Sequence, residues 1–432
     1  MNIFSEVREE RPRLKKTDRA IIFVLTLILF VNIIKPFLDY FLNVTQATVT
    51  ATQYVILMLL YIFGFFKIKK ISLLELFFVV YITARFLLEI MYFGTSLMQP
   101  LVSLLKLLIF VIGCNYFVNA NLSSYARAKI SKLLWIYFFI TIVFSILQQT
   151  DTTIGYIISN FGGNLTSQNG LLIQRSTGGI GGTVIDYTFV VVLFLIMFMF
   201  ESNSYFVRHV KLFLLFAAFY LCFSRIVFLV AIITYLFGHI FHFGGMSKRS
   251  VFNFLAVLLF VFLFTSVVYV EWDLLADLLM ISTNTSDESR TNGWYGIVHS
   301  INLENILYGV SMGVNTGQPL ITETKITGDG QIFAMLYDYG LMGLLLYLGI
   351  IFQYSYQFTR RWVEVVYLIF VFAIVIFVNS GIDKYFVIYI LPFVFVVLRG
   401  TSKYMVIQPV NPGFIARELG PSRQNSYHPD RI

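Results

Sequence analysis

The sequence predicts an all-α integral membrane protein of about 12 transmembrane helices with two larger external loops. Composition is the first observation behind this. Of 432 residues, 58% are hydrophobic and 18% aromatic, with 46 Phe, while only 12% are charged. A soluble domain carries roughly twice that share of charge. The second observation is that the apolar residues come in runs of about 20, the length that crosses roughly 30 Å of hydrocarbon. The third is that basic residues gather in alternate gaps between those runs. Together these exclude a disordered chain and disfavour a soluble globular one.

A basic N-terminal segment, 1–19, precedes a single polytopic domain, 20–398, and a polar, flexible tail, 399–432. The first apolar run, 20–41, follows Arg8, Arg11, Arg13, Lys15, Lys16 and Arg19, which places the N-terminus in the cytoplasm. It is too long for a signal peptide, and no small-residue cleavage site follows it. Runs 48–66 and 71–92 flank Lys67, Lys69 and Lys70. Arg85 and Glu89 stand four apart in the second of these, the spacing of an ion pair on one helix face, with Lys106 near them on the next span. Runs 98–118 and 133–149 flank Arg127, Lys129 and Lys132; runs 184–201 and 207–224 flank Arg208 and Lys211.

Residues 207–243 read as two spans, 207–224 and 226–243, turning near Ser224-Arg225. One continuous helix would be about 55 Å long, too long for a bilayer, and would put Lys248 and Arg249 outside. Runs 251–270, 331–352, 362–380 and 384–398 complete the set, with Arg360 and Arg361 inside. This topology puts 23 of the 31 Lys and Arg on the cytoplasmic side, along with both termini. The formal charge of +8 is therefore a topology signature, not a nucleic-acid footprint. Cys114 and Cys222 fall inside apolar runs and read as small buried residues.

The external loops span about 150–183 and 271–330. Loops of this length are usually functional. The first is rich in Gly, Asn, Ser and Thr. In the second, Arg290, Trp294, Ile297, Val298, Ile301 and Leu307 recur at helical spacing, which predicts a helix with one apolar face. No P-loop, GxSxG or His/Cys metal cluster occurs, and no cofactor is expected.

Candidate chemistry rests on isolated arginines placed against the charge bias: Arg175 and Arg290 in the loops and Arg225 at a span turn. Arginine offers a planar fork that holds phosphate oxygens bidentately, so three of them facing one cavity suit a diphosphate. The bland alternative pairs Arg290 with Asp287 or Glu288, and Arg175 with Asp186. Asp329, just before the span at 331, is either a proton acceptor or a helix cap. Of five histidines only His299 lies outside, and Glu288 lies close to it in the chain.

These pieces, in their order and on their side of the membrane, resemble the bacterial O-antigen polymerase and ligase superfamily. The likeness lies in Arg175-Ser176-Thr177-Gly178-Gly179-Ile180-Gly181-Gly182, in Ser224-Arg225, and in Ser289-Arg290 with Trp294. It continues through Tyr308-Gly309-Val310-Ser311-Met312-Gly313, Asp329-Gly330-Gln331 and Tyr339-Gly340-Leu341-Met342-Gly343. The resemblance implies a multi-pass protein of the bacterial inner membrane with its large loops on the periplasmic side. It implies a glycosyltransferase acting on undecaprenyl-diphosphate-linked oligosaccharide, with a chain-length-regulating membrane protein as a possible partner. Arg175, Arg225, Arg290 and Asp329 would be catalytic; Gly178, Gly179, Gly181, Gly182, Trp294, His299 and Glu288 would bind substrate. Ligases of the superfamily carry a histidine where this chain has Asp329 and Gln331, which favours polymerase over ligase. A strict arginine–ten-residues–glycine motif is not met, since residues 186 and 301 are Asp and Ile. A lipid-glycan flippase is the non-enzymatic rival, disfavoured because polarity sits in the loops and not along the spans.

Overall fold

The computed structural model describes residues 15–42, 71–93, 98–120, 122–150, 152–161, 184–201, 205–222, 295–313, 331–359, 362–378 and 385–401. Short stretches at 52, 55–57, 59, 178, 230–232 and 234 are also described. Among these residues every regular element is helical. They are α1 (Lys16–Leu42), α2 (Leu73–Leu88), α3 (Met98–Asn119), α4 (Ser124–Leu147) and α5 (Thr153–Phe161). Then come α6 (Val184–Phe200), α7 (Tyr205–Cys222), α8 (Gln331–Thr359), α9 (Trp362–Val378) and α10 (Tyr385–Thr401).

Among the described residues, four helical stretches are long and apolar enough to cross a membrane: Lys16–Leu42, Pro100–Asn119, Ser124–Leu147 and Ile332–Thr359. The outward surface agrees, because it carries large apolar side chains such as Phe23, Met91 and Phe213, each more than two-thirds exposed. The expected spans 48–66, 226–243 and 251–270 lie largely or wholly outside the described residues, as does the turn near Ser224-Arg225.

Local chemistry explains where the helices start. Ser72 and Glu75 form a reciprocal capping box at α2, each side chain bonding the other's backbone N–H. Ser123 caps α4 by accepting from the Ala126 N–H, and its hydroxyl donates to buried Asp18 of α1 at 2.6 Å. That cap makes α4 start nine residues before the apolar run at 133, since the polar turns 124–132 continue the same helix.

α6 and α10 form the centre. Phe189 through Phe194 are fully buried, and Phe393 through Leu398 nearly so. A helix apolar on all sides must be buried, by lipid or by protein, and here other helices cover it. α10 accordingly packs on α3, α4, α6 and α8, while α8 also packs on α2 and α9. Cys114 and Cys222 are buried and joined in no disulfide, as their apolar surroundings predicted.

The helix ends sort into two groups. Asp18–Ser123 joins the starts of α1 and α4. Glu201, just past α6, accepts from Ser131 and Trp135 of α4 and pairs with Lys211 of α7. Asn115 near the end of α3 donates to Glu75 at the start of α2, and Ser72 donates to Gln353 near the end of α8. Arg399 of α10 donates to the Val118 carbonyl of α3. These contacts lie at one end, which carries Arg127, Lys132, Arg208, Lys211 and Arg399 and is the basic end. At the far end, Phe37 of α1 meets Phe144 of α4. α2, α3 and α4 alternate in direction, as do α6 and α7, whereas α1 and α2 both run from the basic end to the far end. α1 ends at the far end while α2 starts at the basic end; α7 ends and α8 begins at the far end.

Candidate functional site

The far end holds a buried polar cluster built from three separate parts of the chain. Tyr81, Arg85 and Glu89 recur every four residues, so they share one face of α2. At Glu89 the helix widens into a π segment, Glu89–Phe93, a feature common at functional sites. Arg85 and Glu89 form an ion pair at 2.8 Å and are almost completely buried. The pairing expected from their spacing is present, and Lys106 is buried on neighbouring α3.

The second part is a kink in α8. Gly340 has φ 67° and ψ −174°, a backbone state that glycine reaches and a side chain resists. The kink breaks the helical ladder and frees backbone groups that hydrocarbon cannot solvate.

The third part, the stretch 301–313, takes up those groups. The Leu341 and Met342 N–H groups donate to the carbonyls of Ile306 (2.8 Å) and Leu307 (3.3 Å), and the Val310 N–H donates to the Tyr337 carbonyl at 2.6 Å. The Tyr81 hydroxyl is shared between the carbonyls of Tyr339 and Leu307 at 2.5 and 3.1 Å. Gly309, φ 89°, lies directly against Gly340; a Cβ on Gly340 would sit 2.5 Å from the Gly309 nitrogen and the Leu307 carbonyl. Both positions need glycine because the two backbones touch.

The ion pair fastens the stretch. Arg85 Nε donates to the Tyr308 carbonyl at 2.8 Å. The Glu89 carboxylate accepts from the Ser311 hydroxyl (2.8 Å) and the Met312 N–H (3.0 Å). Asp338, fully buried, accepts from the Gly313 N–H at 3.1 Å. Tyr339 meets Ser103 of α3 at 2.5 Å through its hydroxyl. α2 with its π segment and the kinked α8 thus close on one irregular backbone segment whose polar groups are bonded to protein.

Upstream, residues 295–300 are helical with Ile297 buried inward, as the apolar pattern predicted. The helix does not continue to Leu307. Asn302 accepts from the Glu304 and Asn305 N–H groups, a side-chain turn that competes with the helix and ends it. Leu307 instead lies exposed in the docked stretch.

Of the predicted site residues, two are described. His299 is exposed and stacks edge-on against Tyr295, ring centroids 4.1 Å apart. Gly178 has φ 65°, and a Cβ there would press within 2.6 Å of the Tyr187 ring, so the start of the glycine run touches α6. Arg175, Arg225, Arg290, Asp329, Gly179, Gly181, Gly182, Glu288 and Trp294 lie outside the described residues.

The quoted motifs Tyr308–Gly313 and Tyr339–Gly343 are brought into direct contact. Tyr81, Ser103 and Asp338 complete the cluster but carried no motif; the only signal for Tyr81 was its place one turn before Arg85. No family model matches the chain, and none of the curated proteins is detectably similar to it.

Proposed function

We propose that this protein polymerises undecaprenyl-diphosphate-linked oligosaccharide repeat units at the outer face of the bacterial inner membrane. One observation carries the reading. The second long loop is anchored at three points to the far end of the bundle, opposite the basic end. Gly313 is bonded to Asp338, and the chain re-enters the same helix at Gln331, two turns away and two residues after Asp329. Arg290, Trp294 and His299 approach the same anchor from the other side in sequence. The positive-inside rule assigns the basic end to the cytoplasm, which puts this anchor outside. α1 starts and α10 ends at the basic end, which supports an even number of crossings and two cytoplasmic termini.

In this reading the acceptor sugar hydroxyl attacks the anomeric carbon of the donor glycan. The glycosyl–oxygen bond to the lipid diphosphate breaks, and undecaprenyl diphosphate departs with the bond's electron pair. Arg175, Arg225 and Arg290 hold the diphosphate and balance its developing charge. Asp329 takes the hydroxyl proton, with His299 and Glu288 as the next candidates. No nucleotide sugar enters on this face, in keeping with a sequence that has no nucleotide motif. A chain-length-regulating membrane protein fits as a partner.

The test is deletion of the gene followed by gel analysis of surface glycans. A single-repeat product is expected. Complete loss of surface glycan would replace the polymerase reading with ligase or flippase. Complementation with Arg290→Ala should lose long chains, at a cost in rate of about 10²–10³, with Arg290→Lys rescuing only partly.

A further inference from the structure

At the basic end, a groove of about 950 Å³ opens on the bundle surface between α4 and α7. Its α4 wall runs from Ser124 to Phe139 at intervals of three and four, a single stripe. At 1.5 Å per residue the stripe is about 22 Å long, close to one leaflet's hydrocarbon plus its headgroup zone.

Polarity is graded along the groove. Ser124, Arg127, Ser131 and Lys132 line its outer part; Ile136 and Phe139 line the rest, facing Phe213 and Leu214 of α7. Trp135 lies between, under the Lys211 ammonium at 4.6 Å from its ring centre. Lys211 is neutralised by Glu201, whose oxygens also accept from Ser131 and Trp135. Arg127 and Lys132 join no ion pair among the described residues, and the buried Nε of Arg127 has no hydrogen-bond partner among them. The groove thus ends in two cations that no acid among the described residues compensates, beside the positive N-terminus of α4.

We propose that this groove binds an anionic phospholipid, its phosphate held by Arg127 and Lys132 and one acyl chain lying over Ile136, Phe139 and Phe213. A zwitterionic lipid would set its own cation against these two. A second copy of the chain seated symmetrically would bring the same cations to meet them. An anionic headgroup with a hydrocarbon tail satisfies both ends of the gradient, as basic pockets between helices do elsewhere. Assignment to the cytoplasmic leaflet rests on the orientation proposed above; the binding itself does not.

The test uses the purified full-length protein, with phosphatidylglycerol and phosphatidylcholine of identical acyl chains, read by native mass spectrometry. Wild type should retain phosphatidylglycerol preferentially. The double variant Arg127→Gln/Lys132→Gln should lose about thirtyfold in affinity and fall to the phosphatidylcholine level. A second measurement uses phosphatidylglycerol brominated on its acyl chains to quench Trp135 fluorescence, taken as the difference between wild type and Trp135→Phe. Quenching should be strong, competed by unbrominated phosphatidylglycerol and absent in the double variant. Equal retention of the two lipids, retention unchanged by the double variant, or a dimer that excludes lipid from the groove would each overturn the proposal.

Discussion

Arg85–Glu89 and Lys211–Glu201 are both buried ion pairs, yet their carboxylates do different things. The Glu201 carboxylate meets side chains of Ser131, Trp135 and Lys211 and ties three helix ends together at the basic end. Glu89 bonds backbone and side chain of a distant, irregular segment, and Arg85 holds a carbonyl of the same segment. Irregular backbone at membrane depth is tolerated only where protein satisfies its polar groups. The difference teaches that charge in the far half of this bundle serves to hold a loop in place, whereas at the basic end it joins helices already complete in themselves.

The sharpest way to break this contrast is Gly340→Ala. Strain at positive φ and a 2.5 Å approach to Gly309 and Leu307 act together, and the expected cost is more than about 3 kcal/mol. Scanning fluorimetry of the purified protein should show a large loss of thermal stability. Gly349→Ala is the control, since its Cβ would meet only the end of the Leu74 side chain at 3.2 Å. Equal stability of the two variants would mean that the kink does not hold the loop.

Next in size is Glu89→Gln, which leaves Arg85 buried without its partner charge at a cost of about 3–5 kcal/mol. Hydrogen exchange should accelerate most at the Met312 amide and its neighbours. Uniform acceleration across α2 would assign the pair to helix packing alone.

Glu201→Gln should cost less, about 1–3 kcal/mol, because Lys211 lies at a groove rim where it can reach water or lipid phosphate. The amides of 306–313 should keep their protection in this variant. If they lose it, the two ends are coupled and the contrast fails.

Smallest of all is His299→Gln. The ring is exposed and touches Tyr295, so stability should change by less than about 0.5 kcal/mol. Any large loss of polymer length in that variant would then report chemistry, not folding. Asp329→Asn separates the remaining roles, because Asn caps a helix comparably but cannot take a proton. Near-silence in a polymer assay would leave His299 or Glu288 as the base.

Much of the architecture was legible in the chain. Apolar runs located the helices at 16–42, 73–88, 98–119, 184–200, 331–359 and 385–401 to within several residues at their ends, because twenty apolar residues in a row have one stable solution in hydrocarbon. The Arg85–Glu89 pair was legible too, since a spacing of four puts two side chains on one face regardless of what lies beyond. Spacing could not show that Tyr81 and this pair would seize residues 307–312, more than 220 positions away. Nor could it show that Gly309 and Gly340 were chosen to let two backbones touch. Helix formation is a local matter of periodicity and caps. The docking of residues 306–313 depends on which backbone groups freed by the kink meet which partners, and that is decided only when the helices pack.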